Sequence, residues 1–197
     1  MNLWQDLEWR GLISQSTDPD SLKDLLNNKS ITFYIGFDPT APSLHLGNLM
    51  QILFAKRLQL AGHKPLALVG GATGLIGDPK ETGERNLNEE EIVIDWTSKI
   101  AKQLIKYFDF FGANKCEVVN NFDWTSKIDA ISLLRDLGKH FSINRMLDRE
   151  AVSARLNASG ISYTEFSYAI LQANDYLELN KKFDCVLQTG GSDQWGN

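Results

Sequence analysis

Cysteine, proline, long apolar runs and positive charge are all scarce in this chain, and each scarcity excludes something. Two cysteines occur in 197 residues, Cys116 and Cys185, far apart and outside any metal-ligand spacing. That removes a disulfide framework or a zinc module and leaves two buried reduced thiols as the expectation. A reducing, cytoplasmic compartment follows by default. No apolar run approaches the roughly 20 residues of a membrane span, so no membrane partner is expected. The first residues, MNLWQDLEWRGL, are acidic and amphipathic, unlike a signal or transit peptide. Lys and Arg total 20 against 25 acids, for a net charge of -5. That argues against a chain dedicated to nucleic acid, although a local basic contact stays open. The three histidines do not form a metal cluster, and no Ser/His/Asp or Cys/His arrangement is defensible. His63 falls near a helix end, where a cation is favoured, and His140 reads as a loop histidine. No tightly bound protein metal is expected.

What is present suits one globular domain over residues 1–197, with 43% hydrophobic and 23% charged residues. Strand-like runs cover 31–37, 66–69, 117–119 and 183–187. Between them the pattern turns helical, over 45–60, from a cap at Asn88 with Glu91 to about Phe111, over 127–137, 148–156 and 164–179. Two short helices open the chain, the second capped by Asp18 with Pro19 at its first position. Strands alternating with helices imply an α/β fold with a mainly parallel sheet. The stretch at about 120–182 is too long for a simple crossover and reads as a helical insertion. In parallel sheets ligands bind beyond the carboxyl ends of the strands, and three polar, Gly-rich segments lie there.

The first is YIGFDPTAPSLHLGN, from Tyr34 to Asn48. A strand runs through a Pro-broken loop into a helix that opens at His45. A helix N-terminus offers free N–H groups and a positive dipole end to phosphates, and Gly47 in the first turn permits close approach. The parts fit holding an ATP. The segment by itself also fits a capped surface helix with a stray histidine. The second is Gly70–Asp78. It lacks the GKS or GKT of a Walker loop and the spacing of GxGxxG; by itself it is a tight βα connection in which small residues let a ligand approach, and Asp78 is a turn former. The third is Gly190–Gln194, where Asp193 and Gln194 could take ribose hydroxyls or merely cap a helix. On the long helix, Tyr168, Gln172 and Asp175 fall at i, i+4 and i+7, a polar stripe that suits a pocket wall.

Taken in order, YIGFDPTAPSLHLGN, LVGGATGLIGDP, LLRDLGKHFSIN, ISYTEFSYAILQANDY and QTGGSDQWGN resemble bacterial tyrosyl-tRNA synthetase, a class I aminoacyl-tRNA synthetase. The resemblance runs from about Leu3 to Asn197. It implies a Rossmann-like catalytic domain with a helical insertion and a tyrosine–tRNA ligase activity: tyrosine and ATP give tyrosyl-adenylate and pyrophosphate, and the tyrosyl group passes to tRNA(Tyr). By matching position it implies that Tyr34 and Asp175 hold the substrate phenol and that Asp78, Tyr168 and Gln172 hold its ammonium. Thr40 and His45 would face the γ-phosphate in the transition state. Asp38, Gly47, Asn48, Gly191, Asp193 and Gln194 would line the ATP site. Asn48 departs from the second histidine of the family's HIGH signature. The loop after Asp78 departs too, and either Lys80 or Arg85 would reach pyrophosphate. Magnesium would arrive with ATP. A homodimer is implied, with Tyr163 and Phe166 near its two-fold axis, and the mildly basic 135–155 stretch could face the tRNA acceptor stem.

The sequence stops at Asn197, before the final strand, the KMSKS loop and the anticodon-binding domain of the family. The expectation is therefore a truncated catalytic domain that binds tyrosine but activates it poorly. Two alternatives stay open: another HIGH-type nucleotidyl transferase, or a non-catalytic tyrosine- or partner-binding protein on the same fold.

Overall fold

Four strands make one parallel sheet, as alternation of strands and helices requires. The computed structural model describes residues 2–79, 87–148, 150–158 and 160–195, without the side chains of 150, 151 and 193. Helices α1 (Leu3–Trp9) and α2 (Pro19–Asn28) lead into β1 (Thr32–Phe37), α3 (Leu46–Leu60) and β2 (Lys64–Val69). The short α4 (Thr73–Ile76) and α5 (Glu90–Leu104) connect to β3 (Glu117–Asn120). Then come α6 (Phe122–Thr125), α7 (Ala130–Ser132), α8 (Ile143–Leu147), α9 (Glu150–Leu156), α10 (Tyr163–Phe183) and β4 (Cys185–Thr189).

The strand order is β3-β2-β1-β4. The chain winds outward from β1 in one direction and then returns to pair β4 on the other side of β1. The crevice at the carboxyl ends of β1 and β4 is thus a topological switch point, where open α/β sheets bind ligands. Alternation along β1 sorts its side chains. Phe33, Ile35 and Phe37 enter the larger core with α1, α2, α3 and α5. Tyr34 enters the opposite layer with Leu66, Leu68, Trp124, Leu179 and Cys185. Gly36 shares the Tyr34 face but is exposed, so that face opens toward the strand ends.

Helix α10 divides its labour by position. Its N-terminal half, with Phe166, Ala169 and Ile170, packs Leu133, Leu137, Phe141 and Met146 of the inserted helices. Its C-terminal half, with Tyr176, Leu179 and Phe183, packs the sheet. α10 therefore bridges the sheet's own layer and the helices that precede it in the 120–182 stretch. In that segment the expected 127–137 helix is interrupted. Asp129 caps α7, and residues Leu133–Leu137 widen into a π-turn.

Other boundaries move for identifiable reasons. α5 starts after Glu89 without a side-chain cap, so the Asn88 cap is not used; Glu90 and Glu91 face the helix N-terminus directly. It ends at Leu104 rather than near Phe111, because Phe108 turns into the core and the Asp109 N–H donates to Gln59 Oε1 at 3.0 Å. The last strand starts at Cys185, not Phe183. Asp184 takes a left-handed conformation (φ 53°) that stops α10 one residue before it. His63 is buried rather than poised as a surface cation, and burial holds its pKa below the ordinary value. Both cysteines are buried free thiols, pushed up to about 12 at Cys116 and about 11 at Cys185 by burial.

Candidate active site

Two groups of polar residues meet at the switch point. The deeper one surrounds Asp175, which α10 buries behind the sheet. Trp124 Nε1 donates to Asp175 Oδ1 at 2.8 Å, and Asn121 Nδ2 donates to Oδ2 at 3.0 Å. Each carboxylate oxygen thus has one fixed donor. Desolvation is the larger effect nonetheless, and it lifts the carboxyl to about 7 against the pull of those two hydrogen bonds. Tyr34 lies within the field of this carboxylate. Its hydroxyl is buried without a hydrogen-bond partner, and burial together with Asp175 pushes its pKa up. The Tyr34 ring leans on Tyr176, with centroids 5.6 Å apart.

An unpartnered hydroxyl in a dry site costs about 1–3 kcal/mol. A second such atom, Gln172 Oε1, is buried without a partner three residues earlier on α10. Tyr168 and Asp175 lie seven steps apart with Gln172 between them, or about 10 Å of helix. That is room for one amino acid laid along the helix.

The second group is centred on Asp38, just past β1. Tyr168 Oη donates to Asp38 Oδ2 at 2.7 Å, and Thr73 Oγ1 donates to Oδ1 at 2.7 Å. Asp38 and Asp78 both raise the Tyr168 pKa, after the larger effect of burial. Gln194 Nε2 reaches Asp78 Oδ2 at 3.3 Å, which ties the segment after β4 to the segment after β2. Asp38 and Asp78 with the Tyr168 and Gln172 oxygens make a negative corner that suits a cation. Asp38, expected with ATP, accepts from Tyr168 and Thr73 in this corner. Asn121 joins the two groups. It donates to Thr73 Oγ1 at 3.1 Å, and its Oδ1 accepts from the Ala72 N–H at 2.7 Å.

The third part is the N-terminus of α3, and it is of a different kind. His45 is the N-cap: its Nδ1 accepts from the N–H of Gly47 at 3.1 Å and of Asn48 at 3.4 Å. Asn48 Oδ1 accepts from the His45 N–H at 3.0 Å, which completes a capping box. The helix thus begins at Leu46, and of the Asn48 side chain the amide nitrogen is left for a ligand. A Cβ on Gly47 would meet the imidazole at 3.0 Å, so this glycine makes room for His45. Likewise a Cβ on Gly70 would run into Asp38 and Thr73. The Gly-rich turn is kept small at Gly70 by the side chains of Asp38 and Thr73. Thr40 is exposed in the loop before α3. Gly191 opens a 3-10 turn over Ser192–Gln194 and accepts from the Gln194 N–H at 3.0 Å. The Asp193 side chain, Lys80 and Arg85 lie outside the described residues.

Three contributors escape a sequence reading. Asn121 reads only as a strand breaker, Trp124 as one more aromatic, and Thr73 as a small loop residue. Position at the end of a strand is the one signal that could have marked Asn121. Conversely, Arg155 of the basic stretch points inward. It pairs with Glu165 at 3.2 Å, both side chains 3% exposed or less, and so is unavailable to a nucleic acid. Among the described residues no three His, Cys, Asp or Glu side chains are grouped as a metal cage needs. Nor is any helix among them long and apolar enough to cross a membrane.

A parallel sheet with polar clusters at its switch point and a His-capped helix following β1 defines an open α/β protein with a candidate ligand crevice. Residues 26–197 match the family of class I tRNA synthetases for tryptophan and tyrosine, tRNA-synt_1b, and the chain belongs to that family. It is 58% identical over 196 residues to a tyrosine–tRNA ligase of Cutibacterium acnes, covering 100% of this chain and 47% of that protein. It is 58% identical over 197 residues to the corresponding enzyme of Leifsonia xyli, covering 45% of it. The chain thus spans about half the length of the curated relatives it matches. Among solved structures, a C-terminally truncated mitochondrial tyrosyl-tRNA synthetase of Aspergillus nidulans superposes with a TM-score of 0.88 at 32% identity. That match covers 99% of this chain and 58% of the other. The Archaeoglobus fulgidus tyrosyl-tRNA synthetase, at 19% identity and a TM-score of 0.67, shares the fold.

Proposed function

We propose that this chain carries the tyrosine-activating site of a tyrosine–tRNA ligase. The observation that carries the reading is the buried Tyr34 hydroxyl, which has no partner and lies in the field of the Asp175 carboxylate. A phenol placed there donates to Asp175 and accepts from Tyr34, so both groups are satisfied at once. An indole offers no acceptor for Tyr34, and phenylalanine leaves the Tyr34 hydroxyl unpaired and gives Asp175 no donor beyond Trp124 and Asn121. The substrate is therefore tyrosine rather than tryptophan. Its ammonium group lies in the negative corner, against Gln172 Oε1, Asp78 and Tyr168.

In this reading the substrate carboxylate, already ionised at neutral pH, attacks the α-phosphorus of ATP in line, and pyrophosphate leaves. The tyrosyl-adenylate then gives its acyl group to tRNA(Tyr). No general base is needed for the first step. The protein positions the reactants and offers donors where charge grows. Thr40, the ring nitrogen of His45 that does not cap the helix and the amide nitrogen of Asn48 supply those donors. Gly47, Gly191, Asp193 and Gln194 line the nucleotide's side. ATP arrives as its magnesium complex, with phosphate oxygens rather than a protein cage as ligands. The protein acts as a cytoplasmic homodimer. Ile131, Leu134, Ile143 and Tyr163 expose apolar surface on and beside the inserted helices, whereas Phe166 packs within its own chain.

The test is thermal shift and calorimetry with tyrosine, then with tyrosine and ATP. Stabilisation by tyrosine, with tryptophan and phenylalanine competing only at far higher concentration, is the expected result. Equal stabilisation by tryptophan overturns the assignment.

A further inference from the structure

Lys182 stands in the last turn of α10, with its side chain 45% exposed. Its Nζ lies 4.9 Å from the centroid of the Trp124 ring. Glu178, one turn earlier, fixes that ammonium, with Oε2 3.1 Å from Lys182 Nζ and its other oxygen 3.4 Å from Lys181 Nζ. Trp124 is buried, and its N–H is one of the two donors on Asp175. The indole therefore has a cation over its face and a carboxylate at its edge. A cation above the ring draws π density toward itself and leaves the N–H edge more positive. The N–H then donates more strongly, and the ring is held in the orientation that donation needs. This matters because α6, which carries Trp124, is only four residues long. So short a helix has little hold of its own on a side-chain orientation.

We infer that Lys182 is a positioning residue for the phenol pocket: its charge holds Trp124 and, through Trp124, one of the two donors that orient Asp175. The inference rests on the tyrosine reading above. Lys182 does not touch the substrate. Glu178 belongs to the same device, because it keeps the ammonium over the ring.

The test is calorimetric titration of the 197-residue chain and its variants with tyrosine, and displacement of tyrosine by phenylalanine. Lys182→Met is expected to weaken tyrosine about two- to fivefold, the usual strength of a half-exposed cation–π contact. Phenylalanine, which has no hydroxyl to present to Asp175, is expected to bind as before, so discrimination falls by the same factor. Lys182→Arg, which keeps a cation able to lie over the ring, is expected to restore it. Unchanged tyrosine affinity in Lys182→Met overturns the inference, and so does equal weakening for both amino acids. If the unmodified chain binds no tyrosine, the functional reading fails separately. The contact itself is then read from the indole N–H resonance of Trp124, assigned with Trp124→Phe. An upfield move in Lys182→Met is expected, and an unmoved resonance refutes the link.

Discussion

The phenol end and the phosphate end of this site solve different problems. At the phenol end Tyr34 and Asp175 are buried, and a hydroxyl is left without a partner. At the phosphate end His45 and Thr40 are exposed, and His45 and Asn48 satisfy one another in a capping box. A dry, incomplete pocket stores a polar group's desolvation cost until the right ligand relieves it. A wet helix terminus stores nothing and waits with its dipole. Selectivity therefore belongs to the first, and tolerance to the second.

The largest expected effect breaks the phenol end. Asp175→Asn leaves one oxygen to face two fixed donors, Trp124 Nε1 and Asn121 Nδ2, and turns an amide toward one of them. Tyrosine affinity should fall on the order of a hundredfold, as when one member of a buried charged hydrogen-bond set is lost. Calorimetry decides this, and an affinity within threefold of the parent chain would remove Asp175 from the site.

A tenfold effect should come from pH alone. The Asp175 carboxyl, at about 7 when folded, is near 3.8 in an open chain. Between those values the folded chain holds a proton that the unfolded one has lost. This group's contribution to stability is therefore fully present below about pH 4 and is lost as pH rises through 7. Tyrosine needs the ionised form as its acceptor, so its affinity runs the other way. It should be about tenfold weaker at pH 6 than at pH 8, by the ionised fraction alone. In Asp175→Asn the share of both slopes due to this group should vanish. A flat affinity profile in the parent chain would refute the assignment.

Much of this layout is legible from the residues, and the remainder fails for physical reasons. Strand alternation puts Tyr34 opposite Phe33 and Ile35, and helical spacing puts Tyr168, Gln172 and Asp175 on one stripe. Both periods are local, and local periods survive folding. What escapes is contact across long separations. Asn121 meets Asp175 over 54 residues, Tyr168 meets Asp38 over 130, and Gln194 meets Asp78 over 116. Nothing in a strand-breaking Asn-Asn pair announces that one of its amides will saturate a buried carboxylate. The glycines also have a local reason that periodicity does not announce: a Cβ on Gly47 would press on His45, and one on Gly70 would run into Asp38 and Thr73. Length and position alone could not separate α10 from the inserted helices either, since its two halves pack different layers.

Tyr34→Phe sharpens the contrast because its two effects have opposite signs. Removing an unpartnered buried hydroxyl should stabilise the ligand-free chain by about 1 kcal/mol, read as a higher Tm. The same change removes one hydrogen bond to the bound phenol and should weaken tyrosine about fivefold. A lowered Tm would mean that the hydroxyl has a partner after all, and that the pocket is not held incomplete.

The smallest effect belongs to the wet end. His45→Ala removes the ring nitrogen that accepts from the Gly47 and Asn48 N–H groups, and solvent can replace it because the position is exposed. The cost should be about 1 kcal/mol or less, a fall in Tm of about 2–4 °C for a domain of this size. His45→Asn should recover most of it, since Asn caps well and reaches the same N–H groups. Tyrosine affinity should be unchanged in both variants, measured at the same pH as the parent. If His45→Ala weakened tyrosine as much as Tyr34→Phe does, the two ends would be one coupled unit. The division between a dry selective end and a wet tolerant one would then fail.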